Sequence, residues 1–241
     1  MSKLVLTDTT KATERMFYTV LLYGPNGSGK TQFGSTWPFP VYLTPTMALN
    51  ELRTVSDLGL PVVTFDTIAE FKDQVAALAS EIKAGKFQAK TIIVDNLTTI
   101  QTLFEAEIKA QSGVDKLEWS DWGRFTTLFV TLMTILHRLP CHILWITHAD
   151  PEKTFTLKGD SRNFIPANCD LLLYSASVDL GATKGTDYRL HARRCGQWPA
   201  RLRLPRAHQQ IKPLTVISDP HYDKLAPHLG LKSQAEEEGV E

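Results

Sequence analysis

The feature that most constrains this chain is a glycine-rich segment, 24–31, with the sequence GPNGSGKT, which directly follows the apolar run 17–23. The segment fits the G-x-x-x-x-G-K-[ST] pattern at every fixed position. Its glycines allow a tight turn in which successive N–H groups point inward, at the positive end of the helix that follows. The pattern therefore predicts a strand, a polyphosphate-binding loop and a helix in succession.

Individual residues of this loop have defined roles in the motif. We expect the Lys30 ammonium group to reach the β- and γ-phosphates of ATP, and the Thr31 hydroxyl to coordinate Mg²⁺. Lys30 is therefore a candidate catalytic residue and Thr31 a candidate metal ligand. The residues predicted to bind the nucleotide are Gly24, Pro25, Asn26, Gly27, Ser28, Gly29, Lys30, Thr31, Gln32 and Asp95.

The carboxylate in this set, Asp95, ends the apolar and β-branched run 91–94. Such a run is typical of a strand buried on both faces of a parallel sheet, and its terminal carboxylate is predicted to hold the Mg²⁺ shell. Further candidate strands and helices separate Lys30 from Asp95. This spacing is typical of P-loop ATPases with an additional strand, and it argues against an enzyme that phosphorylates a small acceptor.

Strands and helices alternate along most of the chain, which predicts an α/β fold with a mainly parallel sheet. Ligands bind such sheets at the carboxyl ends of the strands, where we expect Gly24, Asp95 and His148 to meet. The predicted strands are 17–23, 41–43, 61–65, 91–95, 142–147 and 170–175, followed by short strands at 187–193 and 200–204. The predicted helices are 31–36, 48–58, one opening at the 67–70 capping box, 97–109 and 121–139.

The length of 241 residues and a hydrophobic content of 43% allow one α/β core. We divide the chain into an N-terminal arm (1–15), an ATPase core with a C-terminal β extension (16–230) and an acidic flexible tail (231–241). No apolar run approaches the roughly 20 residues that span a bilayer, and the N-terminus is polar. We therefore expect no membrane association and a cytoplasmic location.

Four segments together resemble the RecA-like ATPases, and more narrowly the small phage-encoded RecA paralogues linked to single-strand annealing and recombination. They are 24–31, 91–96, 122–125 and 143–148, within a resemblance that covers roughly 17–205. The resemblance implies a RecA-like P-loop fold with helices on both sides of the sheet and a C-terminal antiparallel extension. It also implies an ATP- and Mg²⁺-dependent ATPase that binds single-stranded DNA and assembles into a ring or filament in the host cytoplasm, with a single-strand-binding protein as a further partner.

Within this resemblance, His148 matches the polar residue that contacts the γ-phosphate and relays nucleotide state to the following segment. The sequence departs from the family where a glutamate usually activates the attacking water, because Thr46 stands at about that position. A hydroxyl is a poor general base at neutral pH. We expect either slow hydrolysis or a substitute base, for which Glu51 and Asp66 are the candidates.

Two segments fall where the family has DNA-binding loops. Cations and aromatic residues that suit phosphates and unpaired bases interleave after His148: Lys153, Phe155, Lys158, Arg162 and Phe164. The alternative is an ordinary solvated loop with both phenylalanines in the core. The other segment, 111–122, carries Lys116, Trp119 and Trp122, of which Trp122 is expected to pack at a helix start.

The stretch 188–218 contains seven Lys or Arg residues and no acid. The stretch suits either DNA phosphates or, across a subunit interface, a neighbour's γ-phosphate. By the resemblance, Arg193 and Arg194 lie where a subunit presents basic residues to a neighbour's ATP; the alternative is two ordinary surface arginines. A second function class stays open. It is a nucleotide-binding regulatory or assembly module with little hydrolysis and no DNA binding, which the missing glutamate favours.

Overall fold

The computed structural model describes residues 17–152, 154–181, 185–204 and 214–239. The predicted arm, 1–15, and Lys153 lie outside the described residues. The boundaries of the three predicted parts of the chain remain predictions.

In the described residues, ten strands form one sheet with the order β10-β8-β7-β1-β5-β4-β2-β3, in which β6 pairs with β5 and β9 with β7. The strands are β1 Thr19–Gly24, β2 Pro40–Pro45, β3 Val62–Phe65, β4 Thr91–Val94, β5 His142–Asp150, β6 Thr154–Phe155, β7 Leu171–Asp179, β8 Thr186–His191, β9 Arg201–Leu202 and β10 Val216–Ser218. Strands β7, β1, β5, β4, β2 and β3 are parallel, whereas β6, β8, β9 and β10 pair antiparallel. This confirms the α/β class, the mainly parallel sheet and the antiparallel strands near the C-terminus.

Helices flank the sheet. They are α1 Lys30–Ser35, α2 Leu49–Asp57, α3 Ile68–Lys83, α4 Leu97–Ser112, α5 Trp119–Leu136, α6 Ser161–Ala167, α7 Tyr222–Leu229 and α8 Gln234–Glu238. The Thr67 side chain accepts a hydrogen bond from the Glu70 N–H and so begins α3 as predicted. Gly113, with φ 66°, ends α4 in the left-handed conformation that glycine adopts without strain.

The core lies on both faces of the sheet because successive side chains of a strand point to opposite sides. In β1, Leu21 and Tyr23 pack with the helices α3, α4 and α5 on one face. Val20 and Leu22 pack on the other face, with α1 and α7. The fully buried β1 therefore holds its carboxyl end, and the loop after it, in a fixed place.

Strand β5 lies between β1 and β4, so the strands that carry the two nucleotide motifs are not direct neighbours. The register pairs Gly24 with His148 on one side of β5 and Val94 with Trp145 on the other. The additional strand predicted from the spacing of the motifs is therefore present. It brings the ends of β1, β4 and β5 to one edge of the sheet.

The C-terminal part contains helices that the sequence analysis did not predict. Helix α7 packs its Tyr222 against Trp37, with ring centroids 5.0 Å apart, and the Tyr18 hydroxyl donates to the Leu229 carbonyl oxygen, 2.8 Å away. The segment 231–241, predicted to be a flexible tail, contains the helix α8. The Glu237 carboxylate of this helix lies 2.8 Å from the Lys90 ammonium nitrogen. Helix α7 was not predicted because it contains Pro227, and a proline inside a segment argues against a helix there.

Candidate nucleotide-binding site

The glycine-rich loop is held against strand β7. The Ser175 hydroxyl donates to the Ser28 carbonyl oxygen, 2.6 Å away. A Cβ atom on Gly24 would lie 2.1 Å from the Ser175 carbonyl oxygen, so no larger residue fits there without moving a strand. Gly27 and Gly29 have φ values of 71° and 80°, and Gly29 begins α1. The local backbone therefore requires the glycines of the motif.

The Lys30 side chain is buried at the centre of the loop. Its ammonium group donates to the Gly24 and Pro25 carbonyl oxygens, at 3.1 and 2.7 Å. Burial lowers the pKa of Lys30 to about 8, although the nearby carboxylates of Asp95 and Glu51 act in the opposite direction. A desolvated cation beside the loop is suited to bind phosphate oxygens.

Thr31 and Asp95, the two residues predicted to hold Mg²⁺, are in contact. The Thr31 hydroxyl donates to Asp95 Oδ2, 2.7 Å away, across the end of the sheet. Burial raises the pKa of Asp95 to about 7 and Glu51 adds to this, whereas the Thr31 hydrogen bond and Lys30 lower it. A hydroxyl and a carboxylate oxygen at one point are a donor set suited to Mg²⁺.

Of the two candidate substitutes for the family's glutamate, only Glu51 lines the same cavity as Lys30 and Asp95. The Asn96 side-chain amide donates to Glu51 Oε1, 2.5 Å away, and Asn96 Oδ1 accepts from the Thr99 N–H at the start of α4. Asn96 therefore orients the carboxylate. Asp66 and Thr46 are not among the residues that line the cavity.

His148 lies at the end of β5, beside Gly24, and also lines the cavity. Burial is the main cause that lowers the pKa of His148; Lys30 adds to the shift and Glu51 opposes it. The neutral imidazole has one N–H to donate. Its Nδ1 atom is buried and has no hydrogen-bond partner in the described part of the chain.

The cavity has a volume of about 720 Å³. The segment 26–32 lines it, together with Glu51, Asp95, Asn96 and His148. Two buried polar atoms at the loop, Ser28 Oγ and His148 Nδ1, have no partner among the described residues. Their presence beside the buried Lys30 ammonium group fits a bound polyphosphate. The residues present therefore suit a nucleotide with Mg²⁺.

Tyr188, which no sequence pattern predicts, lines the cavity from β8. A Cβ atom on Gly29 would lie 3.0 Å from its ring, so the aromatic face covers the start of α1. Strand β8 reaches this place because it forms a hairpin with β7, which extends beyond the loop. No local motif marks Tyr188, since only the long-range strand pairing places it there.

The structure also places the residues predicted to bind DNA. Phe155 is buried with its ring centroid 4.7 Å from that of Tyr23, and Phe164 is partly buried against the same core. The Lys158 ammonium nitrogen lies 2.5 Å from Glu105, and the Arg162 guanidinium donates to the Leu157 carbonyl oxygen. Both phenylalanines therefore pack in the core, as the alternative interpretation expected. A DNA contact by the residues predicted to bind DNA stays a prediction.

Arg193 and Arg194 lie on the surface after β8, which runs antiparallel to β7 and away from the nucleotide edge. Neither of them lines the cavity of its own chain. The Arg194 Nε donates to the Gly196 carbonyl oxygen, 3.1 Å away. Their predicted contact with a neighbouring subunit stays a prediction.

Comparison with known proteins identifies the family. Residues 16–204 match the family model AAA_24, described as an AAA domain. The chain is also 25% identical, over 167 residues, to the SPbeta prophage-derived uncharacterized protein YorG of Bacillus subtilis (strain 168). The match covers 66% of this chain and 50% of that relative. In the described residues no helix combines the length and apolar character needed to cross a membrane.

Proposed function

The chain belongs to the AAA domain family, and from this premise we propose that it is a Mg²⁺-dependent ATPase of RecA-like type that binds single-stranded DNA and promotes annealing or strand pairing. One observation carries the ATPase part. Lys30, the Thr31–Asp95 pair, Glu51 and His148 meet in one cavity at the carboxyl edge of the sheet. The prophage origin of the YorG relative agrees with a phage-type role.

In this proposal each of these side chains binds a different part of the nucleotide or its metal ion. The Lys30 ammonium group binds the β- and γ-phosphates, and Thr31 and Asp95 hold Mg²⁺. Bound there, Mg²⁺ neutralises charge on the phosphoryl oxygens. The His148 N–H donates to the γ-phosphate, and the Tyr188 ring packs on the nucleoside. The separate contacts give the triphosphate one orientation.

Glu51 is the proposed base for the attacking water. Its carboxylate faces the cavity from α2 rather than from the end of β2. The Asn96 amide occupies one carboxylate oxygen, Oε1, so the other oxygen is left to accept the proton. Asn96 follows Asp95 directly, so the residue that contacts the proposed base is the chain neighbour of the proposed metal ligand.

The segment after His148 is the proposed link to DNA. The Thr156 N–H and hydroxyl both donate to the His148 carbonyl oxygen, at 3.1 and 2.9 Å. The Thr98 hydroxyl of α4 is hydrogen-bonded to the hydroxyls of Thr147 and Thr156, each at 3.2 Å. A change in the γ-phosphate contact of His148 therefore acts directly on this segment.

The test is ATP hydrolysis with Mg²⁺, with and without single-stranded DNA, in the parent chain and in three variants. Lys30→Ala is expected to lose nucleotide binding and hydrolysis. Glu51→Gln is expected to bind ATP normally and to lose about 10²- to 10⁴-fold in kcat. Asp66→Asn is the matched control and keeps parental activity. Loss of hydrolysis in Asp66→Asn, with Glu51→Gln unaffected, would contradict the assigned base.

A regulatory or assembly module without DNA binding is the second candidate. One observation favours it: Lys158 and Arg162, two of the cations predicted to contact DNA, are engaged by groups of the chain itself. If ATP binds while single-stranded DNA neither binds nor stimulates hydrolysis, this second function replaces the first.

A further inference from the structure

The helix that follows the phosphate loop is short. Helix α1 has six residues, and its first two, Lys30 and Thr31, are the proposed contacts to phosphate and Mg²⁺. Gly29, at the N-cap, has no side chain with which to cap the helix. Isolated helices of this length are unstable in water. The positions of Lys30 and Thr31 therefore depend on contacts that other elements make with the rest of α1.

One hydroxyl joins the end of α1 to the start of helix α7. The Thr36 hydroxyl donates to the Phe33 carbonyl oxygen of α1, 2.8 Å away, and accepts from the Tyr222 N–H, 2.9 Å away. Tyr222 is the first residue of α7, where the N–H groups have no partner within the helix. The Thr36 side chain therefore serves the last turn of α1 and the first turn of α7 at once.

Aromatic packing holds the same two helices together. Trp37 follows Thr36 directly and is fully buried. Its ring centroid lies 6.2 Å from that of Phe33 and 5.0 Å from that of Tyr222. Leu225 of α7 is fully buried in the same cluster. The end of α1 and the start of α7 are therefore packed as one unit, with the Thr36 hydroxyl between them.

The C-terminal segment also contacts two further elements of the site. At the end of α7, the Leu229 carbonyl oxygen accepts from the hydroxyl of Tyr18, 2.8 Å away, one residue before β1. Before α7, the Asp219 N–H donates to the carbonyl oxygen of Tyr188, 2.8 Å away, whose side chain lines the cavity. The segment 214–230 therefore contacts the strand before the phosphate loop, the helix after it and β8.

This segment lies outside the family match, which ends at residue 204. We propose that α7 positions the phosphate loop through Thr36, so that nucleotide binding and the docking of α7 strengthen each other. Thr36 is not among the residues that line the cavity, so it acts through Lys30 and Thr31 as a positioning residue. The coupling acts in both directions because linkage between two binding events is reciprocal. This inference rests on the proposed nucleotide binding and is independent of DNA binding.

The first test measures the affinity of the full chain for a fluorescent, non-hydrolysable ATP analogue with Mg²⁺. Thr36→Val keeps the shape of the side chain and removes both hydrogen bonds. We expect it to weaken binding by about 2- to 30-fold, and Thr36→Ser to restore most of the affinity. Thr134→Val is the matched control, because the Thr134 hydroxyl also donates to a helix carbonyl oxygen, that of Val130, on the exposed side of α5. Its affinity should be parental.

A purely structural role of Thr36 predicts a different pattern. Loss of the two hydrogen bonds would then lower the melting temperature of Thr36→Val, while the folded chain would bind the analogue with parental affinity. Affinities are therefore measured well below the melting temperature, and near-UV circular dichroism checks that each variant is folded. Parental affinity in folded Thr36→Val would overturn the proposal.

The second test follows hydrogen exchange with and without the ATP analogue. Reciprocal coupling predicts that the analogue slows exchange in the peptide 219–229, which contains the Tyr222 N–H, and that Thr36→Val removes this protection. The peptide 70–83 of α3 packs on the other face of the sheet and should exchange alike in both chains. Equal protection of 219–229 in the parent and in Thr36→Val would show that the coupling does not pass through Thr36.

The outcomes separate this inference from the function on which it rests. If the parent binds no ATP analogue, the proposed nucleotide function fails, and this inference fails with it. If the parent binds the analogue and Thr36→Val behaves as the parent in both tests, nucleotide binding stands and α7 does not position the loop. Equal loss of affinity in Thr36→Val and Thr134→Val would also overturn the role assigned to Thr36.

Discussion

Replacing Gly24 by alanine tests whether the close contact between β1 and β7 positions the phosphate loop. The new Cβ atom would lie 2.1 Å from the Ser175 carbonyl oxygen and 2.8 Å from Ser28 Oγ. To bring the backbone contact above 3.0 Å, the two strands must separate by about 1 Å. Overpacking of this kind costs about 1 to 3 kcal/mol of the free energy of unfolding.

For a chain of this size, each kcal/mol corresponds to about 2 to 4 °C in melting temperature, so Gly24→Ala should lower it by about 2 to 12 °C. The displaced loop should also bind nucleotide more weakly. At a nucleotide concentration near 100 times the parental dissociation constant, the parent gains about 2.7 kcal/mol from binding, and the variant should gain much less.

Thermal unfolding with and without Mg²⁺ and ATP measures both effects. Gly123→Ala is the matched control, because it makes the same chemical change inside α5, where a Cβ atom meets nothing within 4 Å. There we expect a gain of about 0.5 to 1 kcal/mol, since alanine favours a helix over glycine. If Gly24→Ala is as stable as the parent and is stabilised by ATP to the same extent, the contact with Ser175 does not position the loop.

Three further predictions concern single residues. Because burial raises the pKa of Asp95 to about 7, its contribution to stability, present below about pH 4, is lost as pH rises through 7; Asp95→Asn should therefore be more stable than the parent at pH 8 without ligand, measured by urea unfolding, and should bind Mg²⁺ more weakly in a metal titration. Burial lowers the pKa of His142 to about 3. The neutral imidazole therefore contributes fully to the free energy of unfolding above about pH 6.5, and this contribution is lost as pH falls towards 3. His142→Asn should flatten the dependence of that free energy on pH between these values, measured by urea unfolding. Tyr188→Ala should weaken ATP binding about 2- to 10-fold in calorimetry, with Tyr188→Phe close to the parent; equal affinity of all three chains would exclude the ring contact.

Features with a local cause were predictable from the sequence. The loop at 24–31 and the strand that ends at Asp95 follow from residue types at fixed spacing, and the structure has both. The capping box at Thr67 likewise begins a helix where predicted. Each of these depends on residues within a few positions of one another.

Features that depend on distant partners were not predictable in the same way. Glu51 was one of two candidates until the Asn96 contact placed it in the cavity, and Tyr188 enters only through the β7–β8 hairpin. Phe155 is buried because β6 folds back on β5. The spacing of the cations and aromatic residues after His148 does not indicate that the chain folds back on β5 there.

The position of β5 between β1 and β4 has a consequence for synthesis on the ribosome. A nascent chain that has emerged as far as Asp95 already carries both nucleotide motifs, but it lacks the strand that sets their separation. The strand β7, which clamps the loop at Ser175, emerges later still. A nascent chain that has emerged only as far as β4 therefore lacks both the strand that spaces the two motifs and the clamp on the loop, so under the proposed function it should gain little stability from nucleotide.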